Sequence, residues 1–143
     1  MNHLATILEG KSGDVFAIEA DESVFEAVRR MVEANVGALL VTDQGKTTGI
    51  VTERDYLRRV TLEGRTDKET PVREIMSSPL IVAPPEMTID ECMALMTDRR
   101  IRHVPVVENG EVVGIVSIGD IVKSKSTQQS YEIQYLHEYI GAR

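Results

Sequence analysis

Apolar positions along the chain recur at two spacings. Val24, Ala27, Val28 and Met31 stand at i, i+3, i+4 and i+7, and so do Ile89, Cys92, Met93 and Met96. Each set lays one apolar stripe along a helix. Ser23 and Thr88 sit where the helix N-caps belong, with acidic residues in the first turn. Around these helices the pattern shortens to strand length. Residues 15–18 and 80–82 are β-rich openings, and 36–42 and 101–107 are apolar runs that follow the helices. Gln44-Gly45 and Asn109-Gly110 supply turns, Asn-Gly being the stronger hairpin signal. Residues 47–52 and 111–117 read as return strands, and a second helix starts after Thr52 and after Ser117.

These elements come twice because the sequence does. Residues 15–60 match residues 80–125 without a gap at an offset of 65. The identities include Glu26/Glu91, Met31/Met96, Gly45/Gly110, Gly49/Gly114 and Asp55/Asp120. Conservative pairs include Ser23/Thr88, Val36/Ile101 and Thr52/Ser117. The fold expected is α/β (α+β), two β-α-β-β-α repeats related by a pseudo-twofold axis, with sheets packed together and helices outside. A unit of this size buries little core alone, and pairing solves that. Residues 4–8 (LATIL) echo 72–76 (VREIM) as a short helix leading into each repeat. In chain order, residues 1–143 form one module: repeat 1 with its lead-in over 4–60, a charged linker over 61–71, and repeat 2 with its lead-in over 72–125. A further helix is expected over 127–141, where Tyr131, Tyr135 and Tyr139 form a stripe suited to packing.

Composition narrows the function classes. A chain of 143 residues with 42% hydrophobic and 27% charged residues has enough apolar material for a packed core. The formal charge of −7 argues against binding a nucleic-acid polymer or an anionic membrane surface, and 4% aromatics gives no stacking platform. One cysteine, Cys92, on an apolar stripe, forms no internal disulfide and suits the core better than catalysis. His3 and His137 have no ligand-like neighbours at metal spacing. No secretory signal or membrane span is legible, so a cytoplasmic location is expected. No nucleophile–base pair, metal cluster or phosphate loop suggests an enzyme.

The clearest repeated chemistry is Gly49-Ile-Val-Thr52-Glu-Arg-Asp55, matched by Gly114-Ile-Val-Ser117-Ile-Gly-Asp120. A hydroxyl residue ends a strand and an Asp follows three positions later, which is also the spacing of a capping box. The same geometry lets the hydroxyl reach a phosphate or sugar oxygen and the carboxylate accept two bonds from a ribose diol. Gly49 and Gly114 lack a Cβ, so a ligand or a neighbouring strand could approach closely.

GIVTERD and GIVSIGD match the G-h-x-[ST]-x-x-D pattern of the cystathionine-β-synthase (CBS) domain. The chain resembles a tandem CBS pair, or Bateman module, over almost its whole length, and is similar to small stand-alone bacterial CBS proteins assigned to signal transduction. The resemblance implies adenine ligands (AMP, ADP, ATP, NAD or S-adenosylmethionine) in clefts between paired sheets. It implies that Asp55 and Asp120 contact ribose, and that Thr52 and Ser117 contact ribose or phosphate. It implies that Val15, Ala17, Ile18, Ile81, Val82 and Ala83 line adenine pockets. Arg102 and His103 match phosphate-contacting positions, where an Arg can grip bidentately and a His adds a bond that strengthens on protonation. Repeat 1 carries Gly37 and Ala38 there, which sets the two clefts apart. Arg54 and Ile115 complete the candidate ligand-binding set.

The function implied is an adenine-nucleotide sensor without a catalytic cofactor, acting on a protein partner in trans. The alternative is a dimerisation module whose clefts, one or both, are vestigial. A homodimer is expected either way, because family members commonly pair through their helices. Leu57, Val60, Ile121 and Val122 are available for that contact or for an internal core.

Overall fold

The computed structural model describes residues 2–11 and 13–128. It divides into two compact units. One spans Asp14–Ile81 and contains the first repeat; the other joins the N-terminal segment, up to Gly13, to the chain from Val82 onward.

In the first unit, strand β1 (Ala17–Glu19) runs parallel to β2 (Ala38–Asp43), which pairs antiparallel with β3 (Lys46–Thr52). Helix α2 (Val24–Ala34) begins at Ser23, whose hydroxyl accepts the Glu26 N–H at 3.1 Å, and it ends at Asn35 in the left-handed conformation. The predicted stripe faces inward: Val24, Ala27 and Met31 join Ile18, Leu39, Val41 and Val51 in the core. After β3 come helix α3 (Glu53–Tyr56) and a wider π-helical turn, Leu57–Thr61, whose Val60 is buried.

The second unit repeats the plan. Helix α4 (Ile89–Arg99) starts with a capping box between Thr88 and Glu91. Strand β4 (His103–Glu108) pairs antiparallel with β5 (Glu111–Ser117), and α5 (Ile118–Gln128) follows. The core holds Leu4, Ile89, Cys92, Met96, Val104, Val106, Val116 and Ile121. Both hairpins carry a register shift at the same place, after Val41 and after Val106. Both turn through two residues of positive φ, Gln44-Gly45 and Asn109-Gly110, the mirror-type turn that two-residue hairpins need.

Three expectations change. The strand expected at 80–82 does not form; its place is taken by a single parallel bridge from Ala83 to Val106. Pro84 and Pro85 follow at once and have no N–H to extend a ladder. The opening strand of repeat 1 lies at Ala17–Glu19, a little beyond the expected 15–18. Apart from these changes, the helix expected over 127–141, with its three tyrosines, lies outside the described residues beyond Gln128, where α5 is last described.

The third change concerns the lead-in segments. Chain order groups residues 4–8 with repeat 1 and 72–76 with repeat 2, but packing reverses both assignments. Helix α1 (Leu4–Glu9) packs in the unit of repeat 2, where Leu4 is fully buried. A short 3-10 helix, Val72–Glu74, packs in the unit of repeat 1, where Val72 and Ile75 are fully buried. The attachments are equivalent bond for bond. Leu4 N–H donates to the Met87 carbonyl at 2.9 Å, as Val72 N–H does to Glu22 at 2.8 Å. Ala5 and Arg73 donate to Pro85 and Ala20, each at 3.0 Å.

Candidate functional site

The two strand-to-helix corners have the same backbone scaffold. Glu53 N–H donates to the Gly37 carbonyl at 3.1 Å, and Ile118 N–H donates to the Arg102 carbonyl at 2.8 Å. Each bond ties the second helix to the residue just before the first hairpin strand. Both corners are also capped. Asp55 N–H donates to Thr52 Oγ1 at 3.2 Å, while Thr52 N–H donates to Asp55 Oδ2 at 2.9 Å. Asp120 N–H donates to Ser117 Oγ at 3.1 Å, while Ser117 N–H donates to Asp120 Oδ2 at 2.9 Å. The T-x-x-D and S-x-x-D spacing is thus a structural cap in both repeats. It holds each carboxylate through one oxygen.

The glycines serve packing. A Cβ at Gly49 would stand 2.6 Å from the Ser77 carbonyl oxygen and 3.0 Å from Met76 Sδ. One at Gly114 would stand 2.6 Å from Leu8 Cδ2. The neighbours that need this room are the exchanged lead-in segments.

Those segments also give the carboxylates different surroundings. In repeat 1 the Ser77 hydroxyl donates to Asp55 Oδ1 at 3.5 Å, the outer limit for such a bond. In repeat 2, Lys11 Nζ donates to Asp120 Oδ2 at 2.7 Å and to the Ile115 carbonyl at 2.8 Å. Burial pushes the Asp55 carboxyl above its ordinary value, against the Thr52 bonds and the charge of Arg59. Burial also acts to raise Asp120, but the Lys11 ammonium and the Ser117 bonds outweigh it and hold that carboxyl below its ordinary value.

The other candidates distribute unevenly. His103 is half-buried and lies directly across the strand pair from Ser117. Cross-strand partners stand about 5 Å apart, so His103 belongs beside the Ser117–Asp120 corner of its own repeat. Ala38 is the buried partner of Thr52 in repeat 1. Arg102 is exposed, and so is Arg54. Ile115 is half-buried and contributes its carbonyl. Ile18 and Ala83 are core residues, each 1% exposed. Val15 and Ile81 are half-buried, whereas Ala17 and Val82 are exposed. Helix α4 ends at Arg99, paired to Asp98 at 3.5 Å, and Arg100 follows as its left-handed C-cap. Cys92 is fully buried, and desolvation raises its thiol pKa, so it is a core residue. Gly37 lies at the edge of a separate groove of about 450 Å³ in the first unit, with Val28, Val32, Tyr56 and Leu57.

Lys11 and Ser77 were not legible as site residues. Both lie outside the 46-residue repeat, and only the exchange of lead-in segments brings them to the carboxylates.

A model of the CBS domain matches residues 11–62 and 72–126. The chain therefore belongs to the CBS-domain family, and its two repeats are a CBS pair. The mitochondrial CBS domain-containing protein CBSX3 of Arabidopsis thaliana is 42% identical over 139 residues, spanning 92% of this chain and 68% of that protein. A protein with CBS domains from Burkholderia ambifaria MC40-6, provisionally described as a signal-transduction protein, is 43% identical with a TM-score of 0.86. That match covers 90% of this chain and 96% of the solved one. A hexameric CBS-CP12 protein from bloom-forming cyanobacteria is 29% identical with a TM-score of 0.80, over 99% of this chain and 86% of that one. Among the described residues, no helix is long and apolar enough to cross a membrane.

Proposed function

We propose that the chain is a non-catalytic regulatory module that binds an adenine nucleotide (AMP, ADP, ATP or NAD) and passes the signal to a protein partner in trans. The observation that carries this reading is the duplicated corner. Thr52 with Asp55, and Ser117 with Asp120, each present a carboxylate held by a backbone N–H through one oxygen. A carboxylate oxygen has two lone pairs, so a capped Asp keeps acceptor capacity for a sugar diol. The cation and imidazole needed for phosphate are supplied by Arg102, whose carbonyl accepts the Ile118 N–H, and by His103, which lies across from Ser117 in register. A cytoplasmic location goes with this reading, supported by an acidic chain whose single thiol is buried.

Thermal unfolding with each of the four nucleotides at millimolar concentration tests the proposal. A ligand that binds only the folded state raises its stability by an amount that grows with the logarithm of concentration. Stabilisation by at least one nucleotide, lost in the Asp55→Asn/Asp120→Asn double variant, is expected. No shift with any of the four ends the reading.

A second reading, self-association, has its own observation. Val32 is 74% and Leu57 57% exposed at the groove in the first unit, large apolar side chains that a partner surface could cover. The hexameric relative shows that a CBS chain of similar fold assembles, and a homodimer is the simplest closed form for this one.

A further inference from the structure

We propose that Lys11 sets the charge preference of the repeat-2 site, excluding uncharged nucleosides and admitting phosphorylated ones. The inference rests on the nucleotide reading above and deepens it. Helix α1 ends in a turn in which Gly10 N–H bonds the Ile7 carbonyl and Lys11 N–H bonds the Leu8 carbonyl, each at 3.1 Å. Leu8 is seated against Gly114, so the turn that carries Lys11 is fixed to β5. From there the ammonium spans two acceptors at once, Asp120 Oδ2 and the Ile115 carbonyl, at 2.7 and 2.8 Å. These are acceptors that the hydroxyl and amino donors of a nucleoside would use. The lysine side chain is 38% exposed and the Asp120 side chain 22%, so the ammonium can leave on its flexible stem without disturbing the core.

A neutral nucleoside must displace this ammonium and gives it no new partner. A phosphorylated one offers the displaced ammonium an anion and a charge-assisted bond in return. The same residue therefore competes with one ligand class and recruits the other. Repeat 1 has no such device. Aligning the two lead-in segments puts Pro79 at the place of Lys11, and Asp55 meets only the neutral Ser77 hydroxyl from its own lead-in. The preference should belong to one site of the two.

Isothermal titration of the full chain with AMP and with adenosine, in wild type, Lys11→Met and Lys11→Arg, tests this at the site that Asp120→Asn removes. Wild type should prefer AMP. Lys11→Met should weaken AMP about tenfold while leaving adenosine unchanged or tighter, and Lys11→Arg should retain the preference. If Lys11→Met changes neither ligand, or weakens both equally, the inference is overturned and the nucleotide reading stands. If neither ligand binds wild type or Lys11→Met, the inference falls, and the nucleotide reading falls with it only when ADP, ATP and NAD also fail to bind.

Discussion

Leu8 Cδ2 occupies space that a side chain at position 114 would need, 2.6 Å from where the Cβ of any other residue would stand. Ser77 does the same at Gly49 with its carbonyl oxygen, also at 2.6 Å. The first obstacle is the tip of a flexible side chain and the second is backbone. Gly114→Ala should therefore cost about 1 kcal/mol, absorbed by a shift of Leu8, whereas Gly49→Ala should cost about 3 kcal/mol. Urea unfolding of the two variants checks the order; equal losses would mean that the lead-in segments are not held as described.

The capping boxes make the aspartates structural as well as chemical. Asp120→Ala should lose about 1 kcal/mol in ligand-free protein because Ser117 N–H loses its acceptor. Asp120→Asn keeps an acceptor for that N–H and should lose less. A nucleotide response reduced by Asp120→Asn at near wild-type stability separates binding from capping; melting curves with and without AMP read both.

The two carboxylates should give opposite pH signatures. Asp120 has a folded-state pKa below its unfolded value, so it contributes stability above the unfolded value of about 3.9 that is lost as pH falls through the folded one. Asp55 has a folded-state pKa above its unfolded value, so its contribution is present below about 3.9 and is lost as pH rises through the folded value. Asp120→Asn should flatten the loss of stability on acidification below that value. Asp55→Asn should remove a small loss on going up from it. Denaturation at a series of pH values, compared with wild type, measures both slopes, and matching slopes in the two variants would contradict the pKa directions.

Leu57→Glu should leave the fold intact, because the side chain is 57% exposed, and should lower the mass in solution if the apolar groove is a subunit contact. Light scattering on gel-filtered protein reads it. A wild-type monomer at the highest attainable concentration would remove the self-association reading.

Local rules account for most of what was legible in advance. The caps at Ser23 and Thr88, the stripes on α2 and α4, and the positive-φ turns at 44–45 and 109–110 each depend on residues within a few positions of one another. The corner at Ser117–Asp120 was legible for the same reason. The second opening strand does not form although its run is apolar, because an apolar run signals burial while two prolines decide whether a ladder can extend.

The amino-acid sequence by itself determined the repeat, the family, the elements and the pair of hydroxyl–carboxylate corners, because each of these is written in spacing or in short motifs. Tertiary structure alone decided which lead-in segment serves which repeat. That choice joins residues far apart in the chain, as in Leu4 with Met87 and Lys11 with Asp120, the latter 109 positions apart, and no local pattern encodes it. It turns two corners with the same motif into different sites, since one carboxylate meets an ammonium and the other a hydroxyl.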